Sequence, residues 1–300
     1  MSVSRQSIRK SIDDRIFYCV VYTILTVLTV SLLYPIIYVL SSSLSSGLAV
    51  STGKVVLWPV DFSIEGYRRV FGYTKIWVGY RNTVFYTLAG TLINVLITMF
   101  CAYPLARRNL PHRGVITFLF SFTMIFSGGM IPTYLLISSL GMLNTVWAML
   151  IPGALGVYQM IVTRTFIQST IPLELMEATQ IDGCNDFLFF SMFVIPLSKA
   201  VIAVIALQYA VGHWNSYFNA YLYLSDQKLY PLQLYLREIL VLSQIDVSEL
   251  VDEDTLVRMQ GMAELLKFAL IVVATAPIMC LYPFLQKYFV TGIMIGSLKG

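Results

Sequence analysis

Charge is what this sequence has least of. Asp, Glu, Lys and Arg make up 12% of its 300 residues, where a soluble domain carries about 25%. Apolar residues reach 57% and the mean hydropathy is +0.75. So apolar a chain cannot cover a water-facing surface, which excludes an ordinary soluble protein and leaves an integral membrane protein. The net charge of +4 is too small to argue for a nucleic-acid partner. Histidine is scarce: His112 and His213 are the two present, and no HExxH occurs. No GxxxxGK[ST] loop occurs either, so any ATP must be bound by another subunit. Cys19, Cys101, Cys184 and Cys280 lie far apart without a CxxC pair, which disfavours disulfide and zinc readings and leaves buried apolar thiols. No pair of carboxylates sits inside an apolar run. That argues against an intramembrane aspartyl protease and against a proton- or sodium-coupled carrier, which places ionisable groups at mid-membrane. An enzyme is left without a site.

What the chain does have is long apolar runs. A membrane helix needs about 20 mostly apolar residues, and six spans are expected at about 16–40, 82–106, 114–137, 144–164, 196–212 and 265–286. Residues 114–163 carry no charge at all. They suit two crossings with a turn at Ser138-Ser-Leu-Gly-Met-Leu-Asn144. Pro277 and Pro283 are expected to kink the last span. The first run is too long for a signal peptide and has no small-residue cleavage site, so it reads as a retained span. This gives a 1–15 tail, one six-helix domain over 16–290, and a 291–300 tail. The basic residues Arg5, Arg9, Lys10, Arg15, Arg107, Arg108, Arg113, Arg164, Lys199, Lys287 and Lys299 then share one side. By the positive-inside rule that side, with both termini, is cytoplasmic. Outside lie an aromatic segment, 41–81, and a longer one, 213–264, whose acidic run is Asp246 to Asp254. The latter reads as a solvated loop face that could reach towards a partner.

The cytoplasmic connection 169–195 is the most informative stretch. Ser169 and Thr170 can cap a helix, Pro172 suits its first turn, and Glu174 and Glu177 lie near the positive end of its dipole. Gly183 supplies a stop, Asn185 a new cap, and Pro196 opens the next span. Two short helices are therefore displayed at the cytoplasmic face, a shape that can dock in a groove on another protein.

Glu177-Ala178, Gly183 six residues after Glu177, and Ile195-Pro196 resemble the EAA loop of ABC importer permeases. Thr179 stands where that pattern has its second Ala, Phe193 where it has Ile, and Ile195 where it has Leu. Asp182-Gly183, His213-Trp-Asn-Ser-Tyr-Phe-Asn219 and Leu285-Gln-Lys-Tyr-Phe-Val-Thr-Gly292, continuing to Lys299-Gly300, resemble permeases of the carbohydrate-uptake-1 family. Tyr230-Pro-Leu-Gln-Leu-Tyr-Leu-Arg-Glu238 is similar to its oligosaccharide and polysaccharide branch. The resemblance implies an all-α type I importer permease in a bacterial cytoplasmic membrane, paired with a second, homologous permease. It implies two ATP-binding subunits, which carry the ATP and Mg, and an extracytoplasmic solute-binding protein that delivers a carbohydrate. This chain would bind no cofactor. Glu174, Glu177, Ala178, Asp182, Gly183 and Pro196 would form the ATPase-coupling surface, with Glu177 making polar contacts and Gly183 permitting the turn. The rival readings are an ABC permease for a non-sugar solute and a membrane scaffold.

Sugars are held by aromatic stacking and by hydrogen bonds from amides and hydroxyls. Candidates for a substrate pathway are Asn94, Asn144, Trp147, Tyr158, Gln208, Tyr209, Trp214 and Asn215. Polar groups in lipid must find partners, so helix–helix contacts compete with a pathway role for Asn94, Gln159 and Gln208. His213, beside Trp214, is expected at the membrane interface, and Lys199 is expected to snorkel to the cytoplasmic surface.

Overall fold

The computed structural model describes residues 12–242 and 261–280. Every regular element among them is helical. In chain order the first eight are α1 (Ile12–Ser43), α2 (Gly47–Ser51), α3 (Glu65–Gly72), α4 (Thr74–Ala106), α5 (Arg113–Ile125), α6 (Met130–Ser139), α7 (Trp147–Leu150) and α8 (Val157–Thr170). Then come α9 (Leu173–Ile181), α10 (Asp186–Phe189), a π turn at Phe190–Val194, α11 (Ile195–Leu197), α12 (Lys199–Trp214), α13 (Phe218–Tyr223) and α14 (Leu232–Leu242). The last is α15 (Gly261–Cys280). The C-terminal motif from Leu285, Pro283, the acidic run and the 291–300 tail lie outside the described residues.

Three of these helices, α1, α4 and α15, are long and apolar enough to cross a membrane, or up to five if each bent pair is one span. α1 is apolar on every side, and none of its most apolar stretch is buried, the pattern of a helix solvated by lipid. Its threonines return their hydroxyls to their own helix: Thr23 Oγ1 donates to Cys19 O at 2.8 Å and Thr29 Oγ1 to Leu25 O at 2.7 Å. Pro277 sits within α15, which continues to Cys280.

The uncharged stretch is less regular than expected. α5 and α6 meet at a 112° bend across Phe126-Ser-Gly-Gly129, because Ser-Gly-Gly gives a helix little support. The following turn falls at 140–146, close to its expected place. The next run starts as α7, leaves the helix around Pro152-Gly153 and resumes as α8. Proline removes an amide donor and disfavours helix in the residue before it.

The chain divides into two compact units. The first includes the described parts of residues 1–70 and 243–272. Its core joins Ala49, Val50, Val55 and Phe268 to Tyr38, Val39 and Val60. The serines ending α1 fasten the chain that follows: Ser41 Oγ donates to Leu57 O at 2.6 Å, and Ser45 Oγ accepts from Val60 N at 3.0 Å. The second unit includes residues 71–242 and 273–280. Its centre is α4, against which α7, α8, α12 and α14 all pack.

Candidate functional site

The connector is built from local signals. α8 runs to Thr170, so Ser169 and Thr170 end one helix rather than cap the next, and Pro172 itself takes the cap position. α9 seats Leu175 and Met176 against the cluster that contains Tyr103, Ile167 and Phe189. Thr179, one turn on, is buried, and its hydroxyl donates to Met176 O at 2.9 Å. The buried threonine hydroxyl is thus satisfied within its own helix. The opposite side displays Glu174, Glu177 and Ala178, and Ile181 is 88% exposed.

α9 then stops in a complete Schellman turn. Cys184 N donates to Thr179 O at 2.9 Å and Gly183 N to Gln180 O at 3.0 Å, with Gly183 at φ +82. That left-handed backbone is why glycine stands here. Asp182 is the exposed C-cap. Asn185 caps α10 as expected, its Oδ1 accepting from Leu188 N at 2.8 Å. Pro196 opens α11, and the run Asp186–Leu197 turns by 80° into α12. Lys199 is exposed at the start of α12.

The connector is tied to the end of α4. Arg107 Nη1 lies 2.5 Å from Asp186 Oδ1, with its guanidinium over the Tyr103 ring. The last carbonyls of α4 lack helical donors and are satisfied from α8. Arg164 Nε donates to Leu105 O at 3.0 Å and Gln168 Nε2 to Ala106 O at 3.1 Å. Between these parts lies a cavity of about 600 Å³, lined in part by Arg107, Arg108, Arg113, Gln168, Glu174 and Met176.

A second polar group lies inside the helices. Asn94 is 2% exposed; its Nδ2 donates to Gly153 O at 2.7 Å. Its Oδ1 must therefore be the acceptor facing His213 Nε2 at 3.1 Å, which fixes His213 as the Nε2–H donor. Tyr209 OH accepts from Gly156 N at 2.9 Å and shares a hydrogen bond with Thr98 Oγ1 at 2.8 Å. Gln159 Nε2 donates to Gln208 Oε1 at 3.1 Å. These bonds join α4, α8, α12 and the turn before α8. His213 joins this network because α4 offers it a partner in Asn94.

The other pathway candidates are scattered. Asn144 adopts φ +56, and its Oδ1 accepts from Ser225 N at 2.9 Å and Asp226 N at 2.8 Å. Trp147 and Tyr158 are exposed. Trp214 is buried, its Nε1 donating to Ala274 O at 2.9 Å. Asn215 is exposed, and its Nδ2 donates to Val211 O at 3.0 Å.

The Tyr230–Glu238 segment is docked on the first half of α4 by side chain-to-backbone bonds. Asn82 Nδ2 donates to Lys228 O at 2.7 Å and Tyr230 O at 3.0 Å. Tyr86 OH donates to Leu229 O at 2.9 Å, and Thr83 Oγ1 accepts from Leu232 N at 2.8 Å. Asn82, Thr83 and Tyr86 are sites that the sequence did not single out; their one signal is polar side chains within an apolar helix. Among the described residues no group of three or more His, Cys, Asp or Glu could hold a metal ion.

Comparison with known proteins gives the context for this geometry. No family model matches the chain. It is 39% identical over 290 residues to the polygalacturonan/rhamnogalacturonan transport system permease protein YtcP of Bacillus subtilis, covering 96% of this chain and 99% of that one. It is 39% identical over 266 residues to protein LplC of the same organism, with 89% of each covered. Among solved structures, it is similar to a chain of a bacterial ABC transporter involved in the import of the acidic polysaccharide alginate. The TM-score is 0.84 at 36% identity, over 94% of this chain and 100% of the other.

Proposed function

Because this chain belongs to the permease subunits of carbohydrate ABC importers, a transport subunit and not an enzyme, we propose that it imports an oligosaccharide or polysaccharide fragment by alternating access. Neither a non-sugar permease nor a scaffold is favoured by these relatives. In the proposed arrangement the chain is multi-pass in a bacterial cytoplasmic membrane. Six spans put both termini in the cytoplasm, with the two bent helix pairs and the 144–164 run completing the set. It pairs with a second homologous permease. Two ATPase subunits, which carry ATP and Mg, grip the two permeases, and an extracytoplasmic binding protein delivers the sugar.

The observation that carries this reading is the form of α9. Its apolar side is seated through Leu175, Met176 and Thr179, while Glu174, Glu177, Ala178 and Ile181 face outward. A helix so held can dock in a groove on the ATPase and pass movement to α4 as a rigid connector. ATP binding would draw the two connectors together and turn the helices outward-facing, and hydrolysis would reset them. Each ligand must favour one of these states for coupling to exist.

Of the pathway candidates, Asn94, Gln208 and Tyr209 form one network. In this reading they position helices around the pathway, while the exposed Asn144, Trp147, Tyr158 and Asn215 are left to meet sugar and the buried Trp214 serves packing.

The test is purification of the complex from native membranes and its reconstitution in lipid. Co-purification of a second permease and a Walker-type ATPase, with ATP hydrolysis stimulated by sugar-loaded binding protein, is the expected result. A chain that returns without an ATPase would overturn the proposal.

A further inference from the structure

Arg237 lies on α14, the helix whose start is pinned to α4. Its guanidinium carbon sits 4.3 Å from the centroid of the Tyr221 ring and 5.8 Å from that of Tyr217. The two tyrosines are one helical turn apart, joined by Tyr221 N donating to Tyr217 O at 2.8 Å, and both are well exposed. Among the described residues Arg237 makes no ion pair and no hydrogen bond. Neither Glu238 nor Asp226 forms an ion pair with it. The charges of both act on Tyr230 and Tyr235, whose hydroxyls are pushed up chiefly by burial and further by those charges.

A guanidinium resting its face on aromatic rings keeps its N–H edge free, in the fork that matches a carboxylate. One turn earlier on α14, Gln233 Nε2 reaches Asn215 Oδ1 at 3.5 Å. Gln233 Oε1 makes no hydrogen bond among the described residues. An anion-reading fork and an amide acceptor for a hydroxyl on α14 thus stand beside the exposed rings of Tyr217 and Tyr221 at α13.

We propose that Arg237, Tyr217, Tyr221 and Gln233 form a subsite for the carboxylate of an acidic sugar, a uronate, on the side from which substrate enters. Arg237 reads the carboxylate, the rings hold it in place and offer stacking area, and Gln233 accepts from a sugar hydroxyl. This rests on the transport reading and narrows its substrate class to acidic oligosaccharides.

The test uses the purified importer complex in nanodiscs and two probes, trigalacturonate and its fully methyl-esterified form. These share size and hydroxyls and differ in charge. Wild-type complex is expected to bind the acid about tenfold more tightly than the ester, and Arg237→Gln to bring the two within about twofold. Arg237→Lys keeps the charge but loses the fork, so part of the preference remains; it also serves if the Gln variant fails to assemble. Wild type without preference for the acid, or a variant that keeps the full preference, overturns the subsite. So does an equal loss for both probes, which would point to a protein-docking role for Arg237. Sugar-stimulated ATP hydrolysis in the same nanodiscs separates the two levels. If it persists, the subsite alone has failed; if it is missing, the transport reading has failed too.

Discussion

At Gly90 a single methyl group has a large and traceable consequence. This glycine lies in the buried face of α4, and a Cβ there would come within 2.8 Å of His213 Cδ2 and closer still to Nε2. Gly90→Ala must therefore displace the imidazole. The displaced ring no longer donates to Asn94 Oδ1, whose amide remains fixed by Gly153. Overpacking of this kind costs about 1–3 kcal/mol and the stranded acceptor about 1–3 kcal/mol more. Gly90→Ala is expected to destabilise the solubilised permease by about 2–6 kcal/mol, read as a shift in reversible unfolding by titrated denaturing detergent. The second arm uses His213→Ala. Without the ring there is nothing to overlap, and alanine is the better helix former by about 1 kcal/mol. In that background Gly90→Ala becomes neutral or stabilising, a reversal that only direct coupling produces. Equal destabilisation with and without His213 would refute the argument.

The connector and the outer segment yield three more expectations. Gly183→Ala meets no neighbouring atom but must hold φ +82, which costs about 1–2 kcal/mol; sugar-stimulated ATP hydrolysis falls while the amount of protein in the membrane does not. Glu177→Lys inverts an exposed charge that makes no ion pair among the described residues, so the permease still inserts but its ATPase no longer co-purifies. Tyr235 donates its hydroxyl to Gln227 O at 2.6 Å, and burial, then Glu238, Tyr230, Tyr73 and Asp226, push it up to about 12 from an ordinary value of 10.0. A raised acid stabilises the fold fully below the unfolded value. Its contribution is lost as pH rises from about 10 towards 12, and Tyr235→Phe is expected to flatten unfolding curves across that window.

How much of this was legible in the sequence depends on how local each signal is. α1 and α4 could be read because long uncharged apolar runs have few other destinations. The α9–α10 turn could be read because Gly183 and Asn185 each act on backbone within a few residues. Its start was misplaced by a few residues, since Ser169 and Thr170 suit a cap but also suit the last turn of α8. The breaks at Ser127-Gly128-Gly129 and Pro152-Gly153 were visible as letters. In a stretch without charge, however, periodicity cannot separate one bent span from one straight one. His213 escaped because Asn94 is 119 positions away. Arg237 escaped for a similar reason: its rings belong to another helix, and nothing in Leu-Arg-Glu shows what a guanidinium rests on.

These pieces share α4. Its 33 residues span about 50 Å at about 1.5 Å per residue. One end holds α8, which leads into the connector, through Leu105 O and Ala106 O, and the connector itself through the Arg107–Asp186 pair. The other end holds the chain before Arg237 through Asn82, Thr83 and Tyr86. Midway, Asn94 and Thr98 hold the turn before α8 and the α12 side chains His213 and Tyr209. A helix bonded at both ends cannot shift at the connector without carrying the outer segment along. Thr83→Val tests this at the far end from the ATPase, since it strands the buried Leu232 N–H at a cost of about 1–3 kcal/mol and touches nothing in the connector. If α4 transmits the movement, basal ATP hydrolysis and ATPase docking hold while stimulation by sugar-loaded binding protein weakens. Stimulation undiminished in Thr83→Val would mean that the outer segment is held by α4 but not driven by it.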